Sequence, residues 1–226
     1  MKIGVIIAMD IEYQKMREAL GGKNHGSIGG NEIVLWQCGI GKVNAAVGTM
    51  NLIAQHRPDC IVSTGLAGGI DNGLRVMDVV VGSQTAYHDV WCGEGNELGQ
   101  VQGLPVRFDA DGRLLECAVK VPCEGERPVK VGLICTGDQF ITNKEALAEI
   151  KSKFPDALAC EMESAAIAHT CYLQKVPFLS IRVVSDTPGN TENHQQQWTA
   201  FLTSMSDQSF RFIYQFLQSI PQQLQS

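Results

Sequence analysis

The chain has 226 residues, of which 44% are hydrophobic and 19% are charged, a composition typical of a globular protein with a substantial core. Its formal net charge is −6 and no segment concentrates Lys or Arg, which argues against binding nucleic acid through the phosphate backbone. The first apolar run meets an acid at Asp10 and is too short for a membrane span or the hydrophobic region of a signal peptide.

Short apolar runs alternate with longer segments of helical periodicity, which predicts an α/β fold with a mixed, mostly parallel central sheet flanked by helices. The predicted strands are residues 3–8, 60–64, 79–83, 131–136, 158–162 and 178–184. Residues 32–38 are predicted to pair with the segment around Ser27 across a turn at 29–31.

The predicted helices are residues 42–56, 143–154, 164–173 and 199–220. Pro58 ends the first helix, and either Thr142 or Asn143 caps the second. The third is rich in alanine and can approach a neighbour closely, while the last is amphipathic and ends at Pro221. No linker or repeat interrupts this pattern, so we expect residues 1–226 to form a single domain.

Polar or glycine-rich segments follow the ends of five predicted strands. In chain order these are Glu12, the turn GLAGG at 65–69, GDQFI at 137–141, EMES at 161–164 and Asp186. Ligands of parallel α/β sheets bind outside the carboxyl ends of the strands. We therefore expect a single site at this edge of the sheet.

The triplet Glu161-Met162-Glu163 lies where a strand-like segment meets the alanine-rich helix. A helix N-terminus favours negative charge, so we expect Glu163 to stay ionised. A glutamate that only stabilises the first turn of a helix would also explain Glu163, but it explains Glu161 poorly.

The segment IRVVSD places Arg182, Val184 and Asp186 on one face of a strand. A charge inside an apolar run needs a partner, and Glu161 or Glu163 could supply it for Arg182. Asp186 emerges at the strand end, where desolvation favours the protonated form of a general acid. The alternative is that Asp186 caps the turn that follows it.

Two glycine-containing motifs have different meanings. The segment CGIGKVN at 38–44 is not a phosphate-binding loop, because Trp36 and Val43 occupy positions that require Gly and Ser or Thr, and Asn44 breaks the dinucleotide pattern. It is interpreted as a tight turn into a helix. STGLAGG at 63–69 would let a ligand approach the backbone, with an ordinary strand-to-loop turn as the equal alternative.

The cysteines and histidines give no metal signature. The eight cysteines lie at positions 38, 60, 92, 117, 123, 135, 160 and 171, without CxxC pairs or zinc-ligand spacing. We expect a cytoplasmic protein without structural disulfides or metal. His88 and His169 are interpreted as packing or hydrogen-bonding groups.

Seven segments in this order resemble the purine nucleoside phosphorylase superfamily, and within it most closely the nucleosidases of 5′-methylthioadenosine and S-adenosylhomocysteine. These segments are KIGVIIAMDIE, GIGKVNAA, STGLAGG, YHD, GLICTGDQFI, CEMESAAIAH and VPFLSIRVVSD, and they span nearly the whole chain. The resemblance implies a nucleoside phosphorylase-like fold and hydrolysis of the N-glycosidic bond, as in methionine salvage and nucleoside catabolism. It implies a homodimer that acts on a small adenine nucleoside with water as co-substrate, without a cofactor, membrane or nucleic acid.

The resemblance also implies roles for individual residues. Glu12 would activate the attacking water, Glu163 would hold the ribose hydroxyls, and Asp186 would protonate N7 of the leaving base. Further residues implied to contact or support the substrate are Ala67, Gly68, Phe140, Ile141, Glu161, Met162, Arg182 and Ser185. Phe140 would stack on adenine, Ile141 would contact it through its backbone, and Arg182 would pair with a glutamate.

The sequence departs from the family pattern in three places. Leu66 stands where relatives commonly carry a small polar residue. The segment after Asp89 is unlike that of relatives that lend an aromatic residue to the partner subunit's site, and Trp91 is the residue that could take this role. The loop after Asp186 is also atypical. The alternatives are a purine nucleoside phosphorylase, for which Lys42 or Arg75 would bind phosphate, a futalosine-type nucleosidase, and a nucleoside-binding protein without activity.

Overall fold

The computed structural model describes residues 1–122, 128–187, 196, 198–201 and 207–223, with residues 207–209 described by their backbone alone. The described strands are β1 (Lys2–Ile7), β2 (His25–Ile28), β3 (Asn31–Gln37), β4 (Cys60–Gly69), β5 (Val79–Tyr87), β6 (Phe108–Asp109), β7 (Lys130–Thr136), β8 (Ala157–Glu161) and β9 (Phe178–Asp186). The described helices are α1 (Asp10–Ala19), α2 (Lys42–His56), α3 (Gly112–Val119), α4 (Lys144–Lys153), α5 (Ser164–Gln174) and α6 (Asp207–Ser219).

The described strands form one mixed sheet, part of which closes into a ring. β1 pairs in parallel with β3 and β4, and β2 lies antiparallel on β3. β4 is parallel to β9, β9 is antiparallel to β5, and β5, β7 and β8 follow in parallel. Residues Gly68 and Gly69 at the end of β4 then pair with β8 and close the ring. The predicted mixed α/β architecture is confirmed.

Helices cover both faces of the sheet, because successive side chains of a strand point to opposite faces and both faces are apolar. Ile3, Val5 and Ile7 of β1 pack into a cluster that also contains buried side chains of α1, α3 and α6. Ile6 of the same strand packs on the opposite face against Leu52 of α2, together with residues of α5. This alternation is the expected property of an extended strand between two apolar layers. No described helix has the length and apolar character that crossing a membrane requires.

The sequence located most elements but not all of their bounds. The hairpin of β2 and β3 and the helix at 42–56 are confirmed, and Asn143 is the cap of α4, since its side chain accepts from the N–H of Ala146 at 2.8 Å. The predicted turn at 65–69 is wrong, because these residues continue β4. Of the predicted helix at 199–220, residues 199–201 and α6 are helical, and 202–206 lie outside the described residues.

Two helices were absent from the sequence prediction. α1 contains few apolar residues, and only Tyr13, Met16 and the charged Glu12 are buried. α3 is a short helix, capped by Asp111, whose carboxylate accepts from the N–H of Arg113 and of Leu114. In both cases local capping and tertiary packing establish a helix whose apolar periodicity is weak or brief.

Candidate active site

A cleft with an empty volume of about 730 Å³, counted to its open mouth, lies at the edge of the sheet that the sequence predicts. Its lining includes all the predicted site residues: Glu12, Ala67, Gly68, Phe140, Ile141, Glu161, Met162, Glu163, Arg182, Ser185 and Asp186. The ends of β1, β4, β7, β8 and β9 therefore converge as expected for the carboxyl ends of an α/β sheet.

The carboxylate of Glu12 is held by two backbone N–H groups. Glu12 is the third residue of α1, and its Oε2 reaches back to the N–H of Met9 at 3.1 Å, the side-chain half of a capping box. Its Oε1 accepts from the N–H of Leu66 at 2.8 Å. Burial raises the pKa of Glu12 to about 7, although the two N–H groups oppose this effect. The result is a fixed carboxyl group that can exchange a proton near neutral pH.

The glycines of β4 allow this approach. A Cβ at Gly65 would lie 2.9 Å from Oε1 of Glu12, so a larger residue would displace the carboxylate. The N–H of Leu66 donates to Glu12 and is therefore not available to a ligand. The Leu66 side chain is 7% exposed and packs with Val183 and Phe201.

Glu161 and Arg182 form a buried ion pair below the cleft. Nη2 of Arg182 lies 2.8 Å from Oε2 of Glu161, and the two side chains are 3% and 4% exposed. The same nitrogen donates to Oγ of Ser63 at 2.8 Å, and Oγ1 of Thr136 donates to Oε1 of Glu161 at 2.5 Å. The expected pairing of Arg182 with a glutamate is confirmed, and the partner is Glu161.

Glu163 does not have the electrostatic environment that the sequence predicts. It is the N-cap residue of α5, but the N–H groups of Glu163 and Ser164 donate to the carboxylate of Glu161, and that of Ala165 donates to Thr136. Oε1 of Glu163 instead accepts from the N–H of Gly41 at 2.8 Å. Burial, and next the negative charge of Glu161, raises the pKa of Glu163 well above its usual range. The first N–H groups of α5 therefore do not give the Glu163 carboxylate the stabilisation that the sequence predicts.

Asp186 ends β9 and is 2% exposed. The register between β4 and β9 shifts after Ala67, so that Val184 lies opposite Ala67 and Asp186 lies opposite Gly68. Such a bulge interrupts the alternation of side chains. The neighbours Ser185 and Asp186 consequently both line the cleft, and Oγ of Ser185 lies 2.6 Å from Oδ1 of Asp186.

Aromatic and sulfur-containing side chains form the remaining wall of the cleft. Phe140 is 47% exposed, and Trp198 packs edge-on against it with ring centroids 5.5 Å apart. Met9, Met162 and Ile141 also line the cleft. Sequence reasoning missed Met9 and Trp198 as lining residues; the signals were the position of Met9 at a strand end and the atypical loop before Trp198.

The histidines and basic residues considered from the sequence lie outside this lining. His169 contacts the hydroxyl of Tyr87 through Nδ1 at 3.1 Å, which confirms its hydrogen-bonding role, and His88 is buried. Among the described lining residues, Arg182 is the one cationic side chain. No three His, Cys, Asp or Glu side chains of the described chain cluster as metal ligands would.

Comparison with known proteins agrees with this geometry. The family model described as the phosphorylase superfamily matches residues 2–218. The chain belongs to the phosphorylase superfamily. Within this superfamily, a 5′-methylthioadenosine/S-adenosylhomocysteine nucleosidase of Actinobacillus succinogenes is 42% identical over 197 residues, which cover 82% of this chain and 86% of the relative.

Solved structures from the superfamily extend the similarity to the whole fold. The nucleosidase of Neisseria meningitidis, in complex with methylthio-immucillin-A, has a TM-score of 0.89 at 39% identity and covers 96% of this chain and 99% of its own. The nucleosidase of Colwellia psychrerythraea, in complex with adenine, has a TM-score of 0.89 at 35% identity and covers 100% of this chain and 98% of its own.

Proposed function

We propose that this chain hydrolyses the N-glycosidic bond of 5′-methylthioadenosine and S-adenosylhomocysteine, releasing adenine and the corresponding thioribose. The observation that carries the proposal is the carboxyl group of Glu12, which is buried in the cleft, held by two N–H groups and has a pKa of about 7. A fixed group of this acidity suits a general base that takes a proton from water. The similarity to nucleosidases of these two substrates supports the choice of substrate.

Three carboxyl groups have different roles in the reaction. Breaking the bond between C1′ of the ribose and N9 of adenine develops positive charge on the sugar and negative charge on the base. Glu12 accepts a proton as water attacks C1′, and Asp186 donates a proton to N7 of the departing adenine. Glu163 accepts hydrogen bonds from the ribose hydroxyls. The arrangement parallels glycoside hydrolysis, in which one carboxyl group serves the leaving group and another serves water.

The remaining lining residues suit the two parts of the substrate. Phe140 stacks on adenine and Ile141 contacts the base through its backbone, while Met162 packs against the sugar. Ala67 and Gly68 bring the backbone of β4 to the substrate, and Ser185 holds Asp186, with which it is already in contact. Glu161 and Arg182 act below the substrate, because each is held by several protein groups.

Water suits this cleft better than phosphate as the nucleophile. A phosphate dianion needs cationic partners, but the one described cation of the lining, Arg182, is paired with Glu161 at 2.8 Å. Lys42 does not line the cleft, since its Nζ lies 2.8 Å from each carboxylate oxygen of Asp89. Arg75 is also absent from the lining. The carboxyl group of Glu12 would in addition repel phosphate at the position of attack.

Product analysis tests the proposal. The purified protein is incubated with methylthioadenosine in phosphate-free buffer and again with phosphate, and the products are separated by chromatography. We expect adenine and methylthioribose in both mixtures at equal rates. A strict requirement for phosphate, with a sugar phosphate as product, would identify a phosphorylase. Binding of the nucleoside without turnover in either mixture would identify a non-catalytic binding protein.

We propose that the functional unit is a homodimer formed through α2. Val43, Val47 and Met50 recur on one face of this helix and are 74%, 55% and 39% exposed, and Ile40 before it is 51% exposed. Apolar side chains at this spacing need a covering partner. Since Ile40 also lines the cleft, a second copy on this face would reach its mouth. Sedimentation of the parent and of Val47→Glu tests this, with a dimer expected only for the parent.

We propose a cytoplasmic location. The seven described cysteines are free, and Cys60, Cys135, Cys160 and Cys171 are buried within the core. Reduced cysteines are usual where thiols are kept reduced. Cell fractionation with antibody detection tests this location, and recovery in the periplasmic or culture fraction would contradict it.

A further inference from the structure

Lys42 and two aspartates form a cluster beside the cleft. Nζ of Lys42 lies 2.8 Å from both carboxylate oxygens of Asp89 and 3.7 Å from Oδ2 of Asp138. It also lies 5.5 Å from the ring centre of Tyr87. We call Lys42, Asp89 and Asp138 the Lys42 cluster. Lys42 and Asp89 are partly shielded from solvent, with side chains 21% and 19% exposed, whereas the side chain of Asp138 is 48% exposed.

Backbone hydrogen bonds make the cluster a closed connection among three segments. The N–H of Lys42 donates to Oδ1 of Asp138 at 2.8 Å, and the N–H of Asp138 donates to Oδ2 of Asp89 at 2.9 Å. Lys42 begins α2, Asp89 follows β5, and Asp138 follows β7. The relative positions of these three chain segments are therefore fixed by both charge and backbone geometry.

The cluster supplies the cap that α2 lacks. The N-cap residue is Gly41, which has no side chain to accept from the first N–H groups of the helix. Oδ1 of Asp138 accepts the N–H of Lys42 in its place. Gly41 has φ +94°, where a side chain is strained, and a Cβ would lie 3.1 Å from that same oxygen.

The N–H of Gly41 also donates to Glu163, the residue that holds the ribose hydroxyls in the proposed function. It lies 2.8 Å from Oε1 of Glu163, one residue before the N–H that Asp138 holds. On its other side, Asp138 immediately precedes Gln139, Phe140 and Ile141, which line the cleft. One aspartate is thus next to both the donor for Glu163 and the segment proposed to hold adenine.

We propose that the Lys42 cluster is a positioning group for catalysis: it holds the start of α2 so that the Gly41 N–H orients Glu163, and it fixes the adjoining segment 139–141. The expected kinetic effect rests on the proposed function, because it assumes that Glu163 contacts the sugar. The effect on the Gly41 amide itself does not depend on any substrate. The cluster makes no contact with the substrate and takes no part in proton transfer.

The test compares Asp138→Ala with Asp138→Asn, which keeps an oxygen that can accept the N–H of Lys42. We expect kcat for methylthioadenosine to fall about ten-fold in Asp138→Ala with KM changed much less, since small displacements of a catalytic group are costly. Asp138→Asn should recover most of this loss. Lys42→Met should resemble Asp138→Ala. Lys120→Met removes an exposed ion pair with Glu116 on α3, outside the lining of the cleft, and serves as the control.

Amide hydrogen exchange provides the second measurement. The Gly41 amide should exchange at least ten-fold faster in Asp138→Ala than in the parent, at equal global stability by urea unfolding, and should return toward the parent rate in Asp138→Asn. Unchanged exchange at Gly41 in Asp138→Ala would overturn the proposal. Faster exchange at Gly41 with unchanged kcat would also overturn it. If the parent protein turns over no nucleoside, the proposed function is contradicted, and the exchange rate of the Gly41 amide alone decides whether the cluster positions Gly41.

Discussion

Replacing Glu12 with Gln should change how the stability of the protein depends on pH. Burial raises the pKa of Glu12 from an ordinary value of 4.5 to about 7. Since one pKa unit corresponds to about 1.4 kcal/mol, ionising this group costs the folded protein about 3 kcal/mol relative to the unfolded chain. The folded protein binds the proton more tightly. The contribution of Glu12 to stability is therefore greatest below pH 4.5, falls as the pH rises toward 7, and levels off above it.

Urea unfolding at a series of pH values between 5 and 8 measures this effect. Glu163 titrates in both proteins, and besides burial the charge of Glu12 contributes to its raised pKa. The difference between parent and Glu12→Gln therefore measures the ionisation of Glu12 together with its coupling to Glu163. Relative to the parent, the variant should gain about 2–3 kcal/mol over this range, because the amide cannot ionise. Glu145→Gln makes the same substitution at an exposed position in the first turn of α4 and is the matched control.

A constant difference between Glu12→Gln and the parent from pH 5 to pH 8 would refute the reasoning. It would mean that the carboxyl group is solvated or compensated when it ionises, and that it is not poised as a base near neutral pH. The same variant should bind methylthioadenosine but lose at least about 100-fold in kcat, the usual contribution of a general base. Retained hydrolysis would remove Glu12 from that role even if the stability result holds.

Three further substitutions test other parts of the site. Asp186→Asn should lose turnover of methylthioadenosine by about 100-fold or more with an unchanged circular dichroism spectrum, and near-parental activity would exclude it as the acid. Gly65→Ala should lower kcat more than nucleoside affinity, because its Cβ would lie 2.9 Å from Oε1 of Glu12; equal kcat would show that the helix adjusts. Arg182→Met should destabilise the protein by about 3–5 kcal/mol in urea unfolding, since it leaves Glu161 buried and unpaired. Adding Glu161→Gln to that variant should recover part of the loss, and no recovery would show that the destabilisation has another cause.

The sequence predicted the site better than it predicted the local environment of each group. Residues at the ends of strands are located by strand order alone, so Glu12, Glu163 and Asp186 could be assigned to one edge before any contact was known. Ionisation depends on which donors reach which oxygen. The N–H groups at the start of α5 are taken by Glu161 and Thr136, and nothing in the spacing of Glu161 and Glu163 reveals this competition.

Elements held by tertiary contacts were the ones the sequence missed or shortened. α1 lacks a strong apolar stripe, yet it is the helix that carries Glu12 into the cleft through a contact with the N–H of Met9. The segment 65–69 has the composition of a turn, but its backbone pairs with β8 and β9 and is therefore extended. Gly65 is needed there because a Cβ would lie against Glu12, and the sequence alone does not distinguish a glycine needed for close approach from a glycine in a turn.

The position of β9 in the sheet has a consequence for how the protein is made. This strand lies between β4 and β5, which are synthesised long before it, and it is the last strand of the described chain. Until residues 178–186 emerge from the ribosome, both of these earlier strands expose unpaired apolar edges that can bind other chains. The strand that covers those edges also delivers Arg182 and Asp186. The pairing of β9 therefore closes these two strand edges in the same step that brings the reactive groups together, while one apolar face of the sheet stays uncovered until α6 packs on it.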